Sequence, residues 1–211
     1  QGSSQIIPQQ NWMNFSSIGF GVTTIHDPSN DSREIFSAAE LQKAGKIVGP
    51  RIFSTGKILY AGYAPGYTAD IKNLDDAKYH VKRTKENGAV SVKSYNHPRR
   101  DTRQQVLAAA KEIGVNVVPE GGGKLHQNIT MVIDGHTTLE HSLNVARGYD
   151  DLTQLWSQTE TAYNPKFVVA YGGLSGEKYW YDKTNVWENE RLMRYTPRYL
   201  VEPLSIRRET A

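Results

Sequence analysis

The chain has 211 residues, 38% of them hydrophobic and 22% charged, which is typical of a globular domain large enough to bury a core. The formal net charge is only +3, and the Arg pairs at 99–100 and 207–208 are too short to indicate a nucleic-acid-binding surface. The absence of cysteine excludes thiol catalysis, disulfides and cysteine-based zinc sites, and no apolar run approaches the roughly 18 residues of a membrane-spanning helix.

Short β-branched and apolar segments alternate with amphipathic helical patterns along the chain. After a first helix at about 9–20, strands are predicted at 22–27, 51–56, 90–95, 115–120, 137–142 and 166–173. Helices are predicted around 35–41, 75–88, 101–113, 125–135 and 152–159, with long loops at 57–74 and 172–195 and an irregular tail at 187–211. This alternation predicts one domain over 1–211, built from about six parallel βα units.

Two α/β architectures fit that alternation, a doubly wound open sheet and a (β/α)₈ barrel. No G-x-G-x-x-G motif follows the first strand, which disfavours dinucleotide binding. The Gly-rich run "PEGGG" at 119–123 lacks the Lys-Ser/Thr ending of a phosphate-binding P-loop.

Polar side chains occur where the predicted strands end. Because the carboxyl ends of parallel strands meet on one face of such folds, we expect these side chains to converge. They are His26, Asp27, Ser54, Thr55, Lys93, Tyr95, Glu120, Glu140, His141 and Tyr171. Lys93 stands out because a lysine inside a strand is costly to bury unless it is paired or chemically modified. A lysine between two divalent cations can react with CO₂ to give an anionic carbamate, which removes the buried positive charge.

Three segments, "FGVTTIHDPS", "SVKSYN" and "DGHTTLEHSL", resemble the metal-dependent amidohydrolase superfamily, and more narrowly its imidazolonepropionase- and prolidase-like branch. The resemblance implies a (β/α)₈ barrel, a site for one or two divalent ions, with Zn²⁺ expected, and hydrolysis of a C–N bond in an amide, cyclic amide or short peptide. It also favours an exported or periplasmic bacterial protein, since such members often occur in large exported proteins that carry WD40-like repeats.

Carried over residue by residue, the resemblance makes Lys93 the metal-bridging lysine and His141 a metal-binding histidine, both counted as catalytic. The family expects another histidine where this chain has Glu120, with His126 six residues further on, so Glu120 is predicted as a carboxylate ligand. Tyr95, His26 and Tyr171 are predicted to contact the substrate.

The family's H-x-H motif and its last-strand aspartate do not occur in these residues. We therefore expect an incomplete barrel that lacks the first and last strands, inactive without the remaining segments of its parent chain. Its open sheet edges would favour a homo-oligomer. The alternative is a non-catalytic binding or scaffold module that kept the fold and lost the metal.

Overall fold

The structure, a computed structural model, describes residues 9–61, 66–95, 97, 99–121, 123–166 and 179–206. Its strands are β1 (Thr24–Asp27), β2 (Arg51–Ser54), β3 (Ile58–Tyr60), β4 (Thr68–Asp70), β5 (Ser91–Ser94), β6 (Asn116–Pro119), β7 (Thr138–Glu140) and β8 (Ala162–Asn164). Its α-helices are α1 (Trp12–Gly19), α2 (Ser32–Lys43), α3 (Leu74–Glu86), α4 (Arg100–Ile113), α5 (Leu125–Ile133), α6 (Asp150–Ser157), α7 (Tyr179–Lys183), α8 (Glu190–Tyr195) and α9 (Arg198–Leu204).

Every pair of strands in the described part of the chain is parallel, as the sequence predicts. The strands form three ladders, in the orders β1-β2, β4-β3-β5-β6 and β7-β8. Among the described strands, no ladder joins β6 to β7. One backbone–backbone hydrogen bond links the two segments, from the Thr137 N–H to the Val117 carbonyl at 3.1 Å. Pro119 lies at the end of β6 and has no N–H to continue the pairing.

Local signals explain where the helices begin and end. The Asp31 side chain accepts a hydrogen bond from the Arg33 N–H at the start of α2, and the Asn73 side chain does the same for the Asp76 N–H at the start of α3. Helix α4 ends at Gly114, whose φ of 75° is readily adopted only by glycine. These caps explain why α2, α3 and α4 fall close to their predicted positions.

The hydrophobic core has two parts. The larger cluster packs α3 and α4 against the four-stranded ladder, and its fully buried members include Leu59, Val81, Val92, Val106 and Val117. The smaller cluster lies under β7 and consists of Met131, Val132 and Leu139, with Leu143, Leu155 and Trp156 packed against it.

Several sequence predictions are corrected by the structure. The predicted loop at 57–74 contains β3 and β4, and β3 pairs with β5, so this segment belongs to the sheet. The described part of the 187–211 tail is mainly helical because it contains α8 and α9, and the 172–195 loop contains α7. The sixth predicted strand, at 166–173, falls almost entirely outside the described residues. The strand that pairs with β7 is β8, which lies just before the predicted sixth strand in the sequence.

None of the helices in the described part of the chain has the length and apolar character needed to cross a bilayer.

Candidate active site

Three strand ends bring Lys93, Glu120 and His141 into direct contact. The Lys93 Nζ atom lies 2.5 Å from Oε2 of Glu120, and the His141 Nε2 atom lies 2.5 Å from Oε1 of the same carboxylate. Lys93 belongs to β5, Glu120 follows β6 and His141 follows β7. Each oxygen of one carboxylate therefore binds a different basic group, which makes Glu120 the centre of the cluster.

Burial differs strongly across this cluster. The Lys93 side chain is 4% exposed, that of Glu120 21% and that of His141 42%. The ion pair with Glu120 compensates a lysine that would otherwise be a buried, unpaired charge. The Tyr95 ring lies beside it, with the Lys93 Nζ atom 5.9 Å from the ring centroid, close enough for a cation–π contact. The cluster thus opens toward solvent on the His141 side.

The backbone of His141 is in the left-handed region, with φ of 68°. Non-glycine residues adopt this conformation at a cost, which the surrounding contacts must offset. Here the His141 N–H donates to the Asn164 carbonyl at 3.1 Å, and the imidazole reaches Glu120. The strained turn directs the side chain from the end of β7 toward the end of β6.

The His26 side chain, on β1, contacts the strand that carries Lys93. Its Nε2 atom lies 2.8 Å from the Ser91 Oγ atom, which links β1 to β5 although these strands belong to different ladders. Burial lowers the pKa of the His26 imidazole below its ordinary value, against the charges of Glu140 and Asp27 and with the help of Lys93. His26 is therefore neutral at pH 7 and lies within electrostatic reach of Lys93 and Glu140.

A second polar cluster surrounds Glu140. Its Oε2 atom accepts hydrogen bonds from the Lys166 Nζ atom at 2.6 Å and from the Asn164 Nδ2 atom at 2.8 Å. Burial alone would raise the pKa of Glu140, but the hydrogen bond and charge of Lys166 outweigh it and hold that pKa below its ordinary value. Glu140 is thus an anion near Lys93.

The predicted site residues are mostly brought together. Lys93, Glu120 and His141 form one cluster, Tyr95 lies against Lys93, and His26 reaches the neighbouring Ser91. Tyr171 lies outside the described residues.

Sequence reasoning did not identify Lys166 or Asn164 as partners of Glu140. No sequence signal marked them, because Asn164 precedes and Lys166 begins the predicted sixth strand, whereas polar site residues were expected at the carboxyl ends of strands.

The atoms that meet here suit a divalent cation in type, since carboxylate oxygen and imidazole nitrogen are ordinary ligands of such ions. Glu120 and His141 supply one of each, and the buried Lys93 amine lies 2.5 Å from the Glu120 carboxylate. Within the described ranges, no group of three or more His, Asp or Glu side chains could hold a metal ion. The described residues therefore supply ligand types that suit a divalent ion but no set of three.

Comparison with solved structures places this α/β arrangement among known folds. One match is a Xaa-Pro dipeptidase with bound methionine in the active site, at TM-score 0.62 and 18% identity, covering 91% of this chain and 50% of that one. A prolidase complexed with N-methylphosphonate-L-proline matches at TM-score 0.61 and 16% identity, covering 74% and 45%. An amidohydrolase matches at TM-score 0.61 and 19% identity, covering 79% and 48%.

The chain shares the α/β fold of these amidohydrolase and prolidase structures, in agreement with the fold that the sequence resemblance implies, and at 16–19% identity the likeness concerns the fold alone. It spans about half the length of these matched structures. No protein-family model matches the chain. No curated protein matches it either.

Proposed function

We propose that this chain supplies part of the active site of a metal-dependent hydrolase that cleaves C–N bonds in amides, cyclic amides or short peptides. The observation that carries the proposal is the Lys93–Glu120–His141 cluster, in which three side chains from the ends of three parallel strands meet through two 2.5 Å contacts. In parallel α/β folds this end of the strands is where active sites are built.

The fold proposed for the complete protein is a (β/α)₈ barrel, of which this chain forms about six units. Parallel pairing throughout the described ladders supports it. The His26–Ser91 contact supports it further, because a side chain of β1 reaches β5 across strands that separate them in the chain. Curvature of the strands around a barrel would bring β1 and β5 together in this way.

His141 and Glu120 would hold the metal, and Lys93, as a carbamate, would bridge two ions. When bound, a divalent ion supplies Lewis acidity toward a substrate carbonyl and toward water. Glu120 holds the Lys93 amine in its buried position, and His141 lies on the solvent side of the cluster, where a substrate would arrive. Glu140, fixed by Lys166, keeps a negative charge near Lys93.

The test is metal content and hydrolysis in the protein as its gene encodes it, comparing Lys93→Met with wild type. Met matches the length of the side chain but has no amine, so the bridge cannot form. We expect metal and activity toward a panel of N-acyl amino acids, dipeptides and cyclic amides to be lost together. Lys124→Met, at an exposed position, is the matched control and should retain both. Full hydrolysis by Lys93→Met would show that the bridging role is wrong.

A second candidate is a non-catalytic binding or scaffold module on the same fold. It is favoured by one observation, that Glu120 stands after β6 where the resemblance expects a histidine. Metal analysis of the wild-type protein separates the two functions. A protein that binds no divalent ion after incubation with Zn²⁺ and bicarbonate would support the scaffold.

A further inference from the structure

The ends of β6 and β7 approach each other without the usual ladder of hydrogen bonds. Their backbone–backbone hydrogen bond, from the Thr137 N–H to the Val117 carbonyl, lies three residues before Glu120, and Pro119 has no N–H to extend the pairing. The segments that follow β6 and β7 nevertheless come together beyond that point, where the Glu120 and His141 side chains are in contact. A direct contact between the two backbones lies beside this pair.

That contact is made by Gly121. A Cβ atom added at this position would lie 1.9 Å from the Glu140 carbonyl oxygen, 3.1 Å from the Glu140 carbonyl carbon and 3.5 Å from the His141 Cβ atom. Non-bonded atoms do not approach to 1.9 Å, so any side chain would force one backbone to move by about 1 Å. The obstructing atom is a backbone oxygen, which cannot rotate away as a flexible side chain would.

We propose that Gly121 is a positioning residue of the site: its missing side chain lets the backbones after β6 and β7 touch, and this contact sets the distance between the Glu120 carboxylate and the His141 imidazole. The residues on either side of the contact, Glu120 and His141, are the two side chains that meet at 2.5 Å. The inference rests on the proposed function in one respect, because the pair is taken to be the metal-binding pair.

Gly123 provides a matched control within the same glycine run. A Cβ atom added there would meet nothing within 4 Å, and its φ is not in the left-handed region. Gly123→Ala therefore adds the same methyl group, three residues from Glu120, without the backbone clash.

The experiment measures Co²⁺ binding by the visible absorption of the ion, in the protein as its gene encodes it, together with crystal structures of the metal-free forms. In Gly121→Ala the Glu120–His141 separation should increase by about 1 Å, and Co²⁺ affinity should fall by about 10- to 100-fold, the range seen when the supports of a metal ligand are changed. Gly123→Ala should match wild type in separation, affinity and spectrum. Glu120→Asp, which shortens the carboxylate side chain without touching the backbone, should lose affinity as Gly121→Ala does.

The outcomes are distinct for the two proposals. A folded Gly121→Ala that keeps the 2.5 Å contact and wild-type Co²⁺ binding would overturn the positioning role. So would a Gly121→Ala chain without the wild-type circular dichroism spectrum, because the contact would then be required for folding. So too would a folded Glu120→Asp with wild-type affinity. If wild type itself takes up no Co²⁺, the proposed metal site fails, and the metal-free separation in Gly121→Ala alone decides the inference.

Discussion

Two buried histidines make the stability of this protein sensitive to acid, and the effect can be isolated at His136. The His136 side chain is 1% exposed, and its Nδ1 atom lies 2.9 Å from the Met131 carbonyl oxygen. Burial lowers the pKa of His136 to about 4, with a smaller contribution of the same sign from the Arg103 charge. Burial likewise lowers the pKa of His97 to about 4, helped by Arg103 and His136.

The sign of the pH dependence follows from these values. In the unfolded chain a histidine takes up its proton near pH 6.5, whereas folded His136 resists protonation down to about pH 4. The unfolded state therefore binds more protons between these limits, and stability falls as the pH falls from 6.5 toward 4. At about 1.4 kcal/mol per pKa unit, His136 accounts for a total loss of about 3 kcal/mol, of which about 2 kcal/mol occurs between pH 7 and pH 5.

The assay is urea unfolding at pH 7, 6 and 5, for wild type and His136→Asn. Asparagine retains a side-chain N–H that can donate to the Met131 carbonyl but does not titrate. The variant should be less stable at pH 7 because it is smaller, yet it should lose about 2 kcal/mol less than wild type on going to pH 5. The comparison depends on this difference in slope, to which His97 adds in the same direction because its pKa is lowered partly by His136.

His126 is the control, because it is an exposed histidine on the neighbouring helix α5. His126→Asn should leave the wild-type slope unchanged. Parallel pH profiles for wild type and His136→Asn would refute the reasoning, since they would mean that His136 is protonated as easily in the folded protein as in the unfolded chain.

Four further substitutions test the site and the core. Glu120→Gln should lose bound metal because a neutral amide is a poor ligand, whereas Glu120→His should retain it by supplying the imidazole that the resemblance expects; unchanged metal content in both would leave Glu120 as a structural or substrate-facing residue. Leu139→Ala should lower the free energy of unfolding by about 2–5 kcal/mol, because Leu139 is fully buried in the smaller core cluster. Ile133→Ala, at a position 57% exposed, should cost less than about 1 kcal/mol in the same denaturation assay, and equal costs would contradict this view of the core.

Much of the fold follows from the sequence because its signals are local. Helix α4 repeats apolar residues on one face, and Gly114 ends it, so periodicity and a single glycine suffice to locate it. The β-branched segments that became β1, β5 and β6 were located for the same reason. The convergence of Lys93, Glu120 and His141 also follows from sequence, because parallel strands carry their carboxyl ends to one face.

What could not be predicted depends on contacts between distant segments. Strands β3 and β8 have three residues each, too few to show a period, and pairing with β5 and β7 defines them. The partners of Glu140 and His26 lie 24 or more residues away in the chain, so no local pattern reveals them. The approach of Gly121 to Glu140 could not be predicted for the same reason, because it depends on how the segments after β6 and β7 meet.

The uneven distribution of the core has a consequence for how the molecule opens. The larger apolar cluster lies in the segment from Leu59 to Val117, whereas α1 and α2 contain no fully buried residue and β1 has none either. Segments with little buried apolar surface unfold locally at low free-energy cost, while the core remains intact. Backbone amides of β1 should therefore exchange with deuterium well before those of β5. His26 belongs to β1, which should unfold locally before β5. The His26 side chain can therefore move away from Ser91 while Lys93 and Glu120 remain in place.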